Sequence, residues 1–254
     1  MTENKKIYFV SDAHLGIDSE YSSDTREELL INWLDEIKND AIEINLLGDI
    51  FDFWFEYKYV VPKGFNSFFA KLKELSNSGI TINYFTGNHD MWTFGYISKV
   101  TGANLIKGTI IQNVNNKVLF MGHGDGLGPY DKKYNFLKIF FKSRFAQFLF
   151  KQVPSSLSFK IARSWSESSR NKHDYTKSID YSDEMLVKYA NTILEKEHID
   201  FFIFGHRHIP FQVNIGENTV FTNIGDWLIN FTYAVFDGNE MKLLDYKGNP
   251  VSKK

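Results

Sequence analysis

Short apolar runs alternate with amphipathic stretches along the first third of the chain. The runs end in polar residues, which is typical of buried strands in a parallel sheet. The stretches between them carry apolar residues at helical spacing, and Asp24 is the expected N-cap of the first helix. These elements predict a βαβαβ unit. Its strands are expected at 7–10, 42–47 and 80–85, and its helices at 25–39 and 65–75.

The later part of the chain predicts further elements in a less regular order. Two strands are expected on either side of the turn at Asn115 and Asn116, and residues 211–245 alternate short β-like runs with turn residues. The remaining predicted elements are helices at 91–100 and 183–196 and a strand at 201–204.

Residues 126–178 interrupt this series with a segment rich in Phe, Lys, Arg and Ser. We expect it to form a helical insertion within a single domain that spans 1–254. Aromatic residues are dense between 139 and 150 and are interspersed with Lys and Arg. Such helices can lie on a membrane surface or line a pocket for acyl chains. An ordinary helical hairpin that packs on the sheet is the alternative.

Composition narrows the chemistry that the chain can support. Hydrophobic residues make up 43% of the 254 residues and charged residues 24%, which is enough for a packed core. A net charge of −2 does not point to nucleic acid. Because cysteine is absent, any metal must be held by His, Asp, Glu or Asn. The polar N-terminus and the lack of an apolar run near ~20 residues favour a cytoplasmic location.

Histidines cluster where the predicted strands end. A single histidine of this kind is more often a surface or core residue, but open α/β sheets bind ligands at the carboxyl ends of their strands. Five histidines with carboxylates beside them therefore indicate one shared site: His14, His89, His123, His206 and His208. Glycines are expected to let the chain turn sharply at these motifs, so that the next side chain points inward. They are Gly48, Gly87, Gly122 and Gly205.

Five short motifs together resemble a known family. They are D-A-H at 12–14, G-D-I-F-D at 48–52, G-N-H-D at 87–90, G-H-G-D at 122–125 and G-H-R-H at 205–208. In this order they resemble the signature of the calcineurin-like metallophosphoesterases. The resemblance implies an α/β sandwich, in which two mixed sheets are flanked by helices and the insertion forms a lid.

The resemblance also implies two metal ions that share one carboxylate. The first ion would be held by Asp12, His14, Asp49 and His208. The second would be held by Asp49, Asn88, His123 and His206. Two divalent ions roughly 3.5–4 Å apart neutralise phosphoryl oxygens and lower the pKa of a bridging water, which is what hydrolysis of a phosphate ester requires. The mixed nitrogen and oxygen ligands favour Mn²⁺, with Fe, Zn or Co as alternatives.

Four further residues of these motifs are candidates for roles beside the metals. The resemblance implies that His89 contacts the scissile phosphate or the leaving group and that a neighbouring carboxylate, Asp90, orients its ring. The alternative is a structural hydrogen bond. Asp52 either hydrogen bonds to a metal ligand without contacting the metal itself or caps the following segment. The same two roles are open for Asp125.

The region after His123 is similar to the UDP-2,3-diacylglucosamine hydrolases of lipid A synthesis. The similarity lies in residues 124–134, in K-I-A-R at 160–163 and in S-S-R-N-K at 168–172. It implies cleavage of a pyrophosphate to UMP and 2,3-diacylglucosamine 1-phosphate (lipid X) at the inner-membrane surface. The candidate substrate-binding residues are Asp125, Tyr130, Arg163, Ser169, Arg170, Asn171 and Lys172. A solvated charged face is the alternative for the cations among them.

The best-known members of that hydrolase family have Arg at the position of His89. A pyrophosphate has a good leaving group that needs little protonation, so either side chain can position or neutralise the phosphate. Two other functions are weighed against this one. The first is a phosphodiesterase that acts on a soluble nucleotide or a nucleic-acid end, and the second is a non-catalytic scaffold. Every expected metal-ligand position is filled, which argues against the scaffold.

Overall fold

The computed structural model describes residues 5–128, 132–170 and 181–251. The strands are β1 (Lys6–Val10), β2 (Ala41–Leu47), β3 (Thr81–Thr86), β4 (Asn104–Lys107), β5 (Ile110–Val114), β6 (Lys117–Gly122), β7 (Phe201–Phe204), β8 (Pro210–Ile215), β9 (Thr219–Ile224), β10 (Thr232–Phe236) and β11 (Met241–Asp245). The helices are α1 (Ser23–Ile37), α2 (Asn66–Asn77), α3 (Tyr96–Thr101), α4 (Lys132–Lys142), α5 (Arg144–Lys151), α6 (Ser155–Arg170) and α7 (Met185–Leu194).

Two mixed sheets face each other. The six-stranded sheet has the order β11-β10-β1-β2-β3-β4, and the five-stranded sheet has the order β5-β6-β7-β9-β8. Phe9 and Phe85 of the first sheet share a buried cluster with Leu119 and Ile203 of the second. Helices α1 to α3 cover the outer face of the first sheet, and α7 covers that of the second. The predicted class, two mixed sheets flanked by helices, is confirmed.

The parallel strands at the centre of each sheet position the polar motifs. Strands β1, β2 and β3 run parallel in the first sheet, as do β6, β7 and β9 in the second. Because parallel strands end at the same edge, the loops after them converge. His123 and Gly205, which follow β6 and β7, are joined by a hydrogen bond between backbone groups.

Two predicted helix starts are wrong. Helix α1 is capped by Ser22, whose side chain accepts the backbone hydrogen bond of Thr25, whereas Asp24 lies in the first helical turn. Helix α3 begins at Tyr96 and not at residue 91. The preceding residues instead pair with another loop, where Phe55 and Trp92 form an isolated bridge. This tertiary pairing overrides the local helical pattern.

Helices α4, α5 and α6 follow one another between β6 and α7 and pack on the loops after β2 and β3. The ring of Phe150 lies 4.5 Å from that of Trp92, and the ring of Phe159 lies 5.1 Å from that of Phe53. The indole of Trp92 also donates a hydrogen bond to the carbonyl of Phe141 at 2.9 Å. Among the described residues, no helix combines the length and the apolar character that crossing a membrane requires.

Candidate metal centre

The backbone at the strand ends adopts a conformation that side chains rarely take. Positive φ angles occur at nine non-glycine residues of the described chain, and five of them carry the motif side chains. Such strain is concentrated at functional sites, where the surrounding structure holds it in place. These five are Asp12 (φ 54°), His14 (φ 43°), Asp49 (φ 51°), His206 (φ 67°) and His208 (φ 55°).

A buried arginine supports the loop after β1. The guanidinium of Arg26, on α1, donates hydrogen bonds to the backbone carbonyls of Ala13, His14 and Ile17. Arg26 itself is fully buried. Its planar set of donors therefore holds this loop against the helix. Nothing in the sequence around position 26 indicates this role.

The motif side chains form three groups, and within each group the candidate ligand atoms lie within 4.8 Å of one another. The groups are Asp12, His14 and His208; His14, Asp49 and His89; and Asp49, His123 and His206. Asp49 belongs to two of them. Its Oδ2 lies 3.2 Å from Nε2 of His123 and 3.9 Å from Nε2 of His14. The carboxylate of Asp49 thus lies between two sets of imidazoles.

Two imidazoles are oriented by carboxylates behind them. Nδ1 of His14 lies 3.2 Å from Oδ1 of Asp52, and Nδ1 of His208 lies 3.2 Å from Oδ2 of Asp226. An ionised carboxylate only accepts hydrogen bonds, so each Nδ1 carries a proton, and in the neutral imidazole each Nε2 offers a lone pair to the centre. Metal-ligating histidines are held in this way.

Two other imidazoles are oriented by backbone carbonyls. Nδ1 of His123 lies 2.8 Å from the carbonyl oxygen of Leu47, and Nδ1 of His89 lies 2.8 Å from that of Asp52. The same reasoning places the proton on Nδ1. Asn88 is close to one of them, since its Oδ1 lies 3.2 Å from Nε2 of His123.

Buried atoms at the centre fit divalent cations. Oδ1 of Asp12 and Nε2 of His14 are buried and make no hydrogen bond with the described residues. Oδ1 of Asp12 also lies 3.4 Å from Nε2 of His208. Buried polar atoms are ordinarily satisfied, so a carboxylate oxygen facing two imidazole nitrogens has the donor set of a metal site. The other oxygen of Asp12 is held by the amide of His206 at 2.8 Å.

The charges of the site shift its pKa values. Burial favours the neutral carboxyl of Asp49, but His123, His89 and His14 together outweigh burial and hold the pKa of Asp49 well below its ordinary value. Burial likewise opposes protonation of His123, yet Asp49 and Asp12 raise its pKa well above the ordinary value. The site is therefore strongly cation-attracting, and protons at the histidines compete with metal.

We expected Asp90 to orient the ring of His89, but its carboxylate makes no hydrogen bond to that ring. Its carboxylate accepts hydrogen bonds from the amide of Gly87 at 2.7 Å, the amide of Ile50 at 3.1 Å and the hydroxyl of Tyr84 at 2.6 Å. The expectation rested on adjacency in sequence. The structure instead directs the carboxylate of Asp90 to the backbone of two neighbouring motifs.

The candidate substrate-binding residues are described only in part. The carboxylate of Asp125 lies 2.6 Å from Nζ of Lys138, on α4. Tyr130, Asn171 and Lys172 lie outside the described residues, and the side chains of Arg163, Ser169 and Arg170 lie outside the described part of α6.

Asp226 was not among the predicted site residues. It is buried, and its Oδ1 accepts hydrogen bonds from the amides of Leu228, Ile229 and Asn230. It follows Gly225 directly after β9, as Asp49 follows Gly48 after β2. That repeated arrangement of strand, glycine and aspartate is the signal that would have found it.

Comparison with known proteins assigns the family. The calcineurin-like phosphoesterase profile matches residues 5–210. The chain therefore belongs to the calcineurin-like phosphoesterase family, as the ordered motifs predict.

Individual relatives span nearly the whole chain. A UDP-2,3-diacylglucosamine hydrolase from Porphyromonas gingivalis is 35% identical, and the alignment covers 94% of this chain and 96% of the relative. A UDP-2,3-diacylglucosamine hydrolase from Vibrio atlanticus is 27% identical with the same coverage, 94% and 96%. Among solved structures, a phosphoesterase from E. coli has 14% identity and a TM-score of 0.49, with 97% of each chain covered.

Proposed function

We propose that this chain hydrolyses the pyrophosphate of UDP-2,3-diacylglucosamine to UMP and 2,3-diacylglucosamine 1-phosphate. The reaction would use two divalent metal ions, and Mn²⁺ is the metal we favour. The observation that carries the proposal is the position of Asp49, which belongs to two of the three ligand groups. The relative from Porphyromonas gingivalis, matched over 94% of the chain, supports the choice of substrate.

The proposed ligands follow the geometry of the site. Asp12, His14, Asp49 and His208 would hold one ion, and Asp49, Asn88, His123 and His206 would hold the other. Bound ions neutralise the phosphoryl oxygens and generate a nucleophile from water at neutral pH. The chain itself orients the imidazoles of His14, His123 and His208 by fixing the proton on Nδ1.

His89 is the proposed contact to the phosphate. Burial, aided by the charge of His14, lowers its pKa against the pull of Asp49 and Asp52, so the free imidazole is neutral. Its Nδ1 proton is held by the Asp52 carbonyl, which leaves Nε2 on the side of Asp49, 4.0 Å from Oδ2. The negative charge of an entering phosphate favours protonation of His89, so Nε2 takes up a proton from solvent and donates a hydrogen bond to the phosphate. Asp90 acts indirectly, by fixing the turns that carry Asp49 and Asn88.

We also propose that the insertion meets the inner-membrane surface, where the lipid substrate resides. Phe136, Phe145 and Phe148 are 75%, 64% and 60% exposed, which is unusual for so many large apolar side chains in one segment. Arg144 and Lys151 are exposed on the same helices and can meet anionic head groups. The location is thus cytoplasmic and peripheral to the membrane.

Release of UMP from UDP-2,3-diacylglucosamine by the purified protein tests the function, with Mn²⁺ alone and with an excess of chelator. We expect chelator-sensitive release, faster than hydrolysis of bis-p-nitrophenyl phosphate. Asp49→Ala should lower the rate at least about a thousandfold, since metal ions contribute several kcal/mol to stabilising the transition state.

Asp35→Ala is the matched control, because Asp35 lies on the outer helix α1 and pairs only with Lys38 and Lys71 among the described residues, outside the ligand groups. It should leave the rate unchanged. Hydrolysis of the generic ester alone would reject the lipid substrate and retain a phosphoesterase of soluble nucleotides. Activity of Asp49→Ala near that of the wild type would reject the two-metal site.

A further inference from the structure

A hydroxyl group of the insertion reaches the metal centre. Ser166 lies on α6 and is 2% exposed. Its hydroxyl donates a hydrogen bond to Oδ1 of Asp52 at 2.6 Å. The same oxygen lies 3.2 Å from Nδ1 of His14. A continuous chain of polar contacts therefore connects a helix of the insertion to a proposed metal ligand.

The hydroxyl of Ser166 helps to orient the carboxylate of Asp52. The terminal torsion of an aspartate has a broad energy profile, so its own backbone does not determine the plane of the carboxylate. A hydrogen-bond donor on a packed helix restricts that plane. Once Oδ1 of Asp52 is in place, the Nδ1 proton of His14 has one acceptor and Nε2 is aimed at Asp12 and Asp49.

His208 is the other imidazole that a carboxylate orients, and that carboxylate is held in a different way. Asp226, which orients His208, is itself held by the amides of Leu228, Ile229 and Asn230 in the loop after β9. That support comes from the loop after β9. The support of His14 comes in part from α6, so the position of the insertion affects this imidazole.

We propose that Ser166 is a positioning residue that couples the docking of α6 to the affinity of the metal site, acting through Asp52 and His14. The proposal rests on the proposed two-metal function. Because coupling between two sites is reciprocal, metal bound at His14 should in turn stabilise the docked α6. The insertion and the metal centre then respond to each other before any substrate is present.

Ser158 offers a matched control on the same helix. It is two helical turns before Ser166, is also buried, and its side chain lies 2.5 Å from the hydroxyl of Tyr57. Ser158→Ala thus removes a polar contact between α6 and the sandwich that does not involve Asp52. Ser166→Thr keeps the hydroxyl group and serves as the rescue variant.

The test is the affinity of each metal-free variant for Mn²⁺, measured from the signal of free Mn²⁺ in electron paramagnetic resonance. We expect Ser166→Ala to bind Mn²⁺ about tenfold more weakly, the effect of losing a group that orients a ligand. Ser158→Ala should stay within about twofold of the wild type, and Ser166→Thr should recover most of the affinity. Mn²⁺ should also slow amide hydrogen exchange in α6 of the wild type but not of Ser166→Ala.

Three results would overturn the proposal. They are wild-type affinity in Ser166→Ala, equal losses in Ser166→Ala and Ser158→Ala, and failure of the wild type to bind Mn²⁺ at all. The last result would also reject the two-metal function. Mn²⁺ binding with the expected order of variants but without UMP release would retain the coupling and reject only the lipid substrate.

Discussion

At the scale of single residues, the site depends on close approach between neighbouring motifs. A side chain at Gly87 would overlap the carboxylate of Asp49, and one at Gly205 would overlap Ser11 and Asp12. Neither glycine has a left-handed φ, whereas Gly48 does, with φ 88°. The expectation that glycines permit sharp turns therefore holds at Gly48. At Gly87 and Gly205 the physical reason is space for a carboxylate.

Gly87→Ala tests this account. The added methyl group would displace Oδ1 of Asp49, which accepts the hydrogen bond of the His89 amide at 2.8 Å. We expect Mn²⁺ affinity to fall at least about tenfold, because the carboxylate shared by the two proposed ions moves. Isothermal titration with Mn²⁺ measures the change.

Gly122→Ala is the control for Gly87→Ala. Gly122 also ends a strand without a left-handed φ, but its new methyl group would meet Thr109 and the carbonyl of Gly108. It should lower thermal stability while changing Mn²⁺ affinity by less than about threefold. Wild-type affinity in Gly87→Ala would show that Asp49 tolerates displacement.

At the scale of elements, the bounds of the strands were predicted more accurately from apolar runs than the bounds of the helices were from helical periodicity. The expected strand at 42–47 differs from β2 by one residue at its start, and the expected strand at 80–85 differs from β3 by one residue at each end. Each is buried on both faces, so its composition alone determines it. The start of α3 could not be predicted, because the amide of Tyr96 bonds to Glu56, a partner distant in sequence.

The helices of the insertion divide their aromatic residues between two surfaces. Phe141 and Phe150 contact Trp92 and so attach the helices to the sandwich. Phe145 and Phe148, in contrast, are mostly exposed. The sequence marks this segment as aromatic, but it does not separate the two sets, because the contacts are made with a loop far away in the chain.

The double variant Phe145→Ser and Phe148→Ser tests the proposed membrane contact. Burial of each phenyl ring in lipid is worth about 1.5–3 kcal/mol, so we expect vesicle affinity to fall at least about tenfold. Sedimentation with vesicles of anionic phospholipid measures the bound fraction. Hydrolysis of bis-p-nitrophenyl phosphate should be unchanged.

Ile111→Ser is the control for the membrane variant, since Ile111 is 45% exposed on β5, an edge strand of the second sheet. Its vesicle affinity should equal that of the wild type. Undiminished binding by the double variant would place the membrane contact elsewhere or reject it.

At the scale of the whole molecule, the site joins loops from both sheets. The polar motifs at the ends of the predicted strands indicated one shared site, because parallel strands of one sheet end at the same edge. That the strands divide between two sheets was expected only from the family resemblance. The supporting residues Arg26, Asp226 and Ser166 were not predicted. Arg26 and Ser166 act through contacts between elements distant in sequence, and such contacts leave no local pattern. Asp226, in contrast, follows a strand and a glycine as Asp49 does.

The metal-free and metal-bound proteins should differ in how their stability depends on pH. Burial alone would lower the pKa of His14, but Asp12 and Asp52 outweigh burial and raise it from the ordinary 6.5 to about 10. A histidine with a raised folded-state pKa stabilises the protein fully below its unfolded pKa and loses that effect as pH rises toward the folded value. The metal-free protein therefore loses this stabilisation above pH 6.5, and His123, whose pKa is also raised, acts in the same direction.

Metal binding has the opposite dependence, because it requires neutral imidazoles and releases their protons. The rise in Tm on adding saturating Mn²⁺ should therefore be larger at about pH 8.5 than at about pH 6.5. Differential scanning fluorimetry under anaerobic conditions, with chelator or with Mn²⁺, measures both values. His198→Gln removes an exposed histidine outside the ligand groups and should retain the difference between the two pH values. A Tm rise that is equal at both pH values, or larger at the lower one, would mean that protons at His14 and His123 do not compete with the metal.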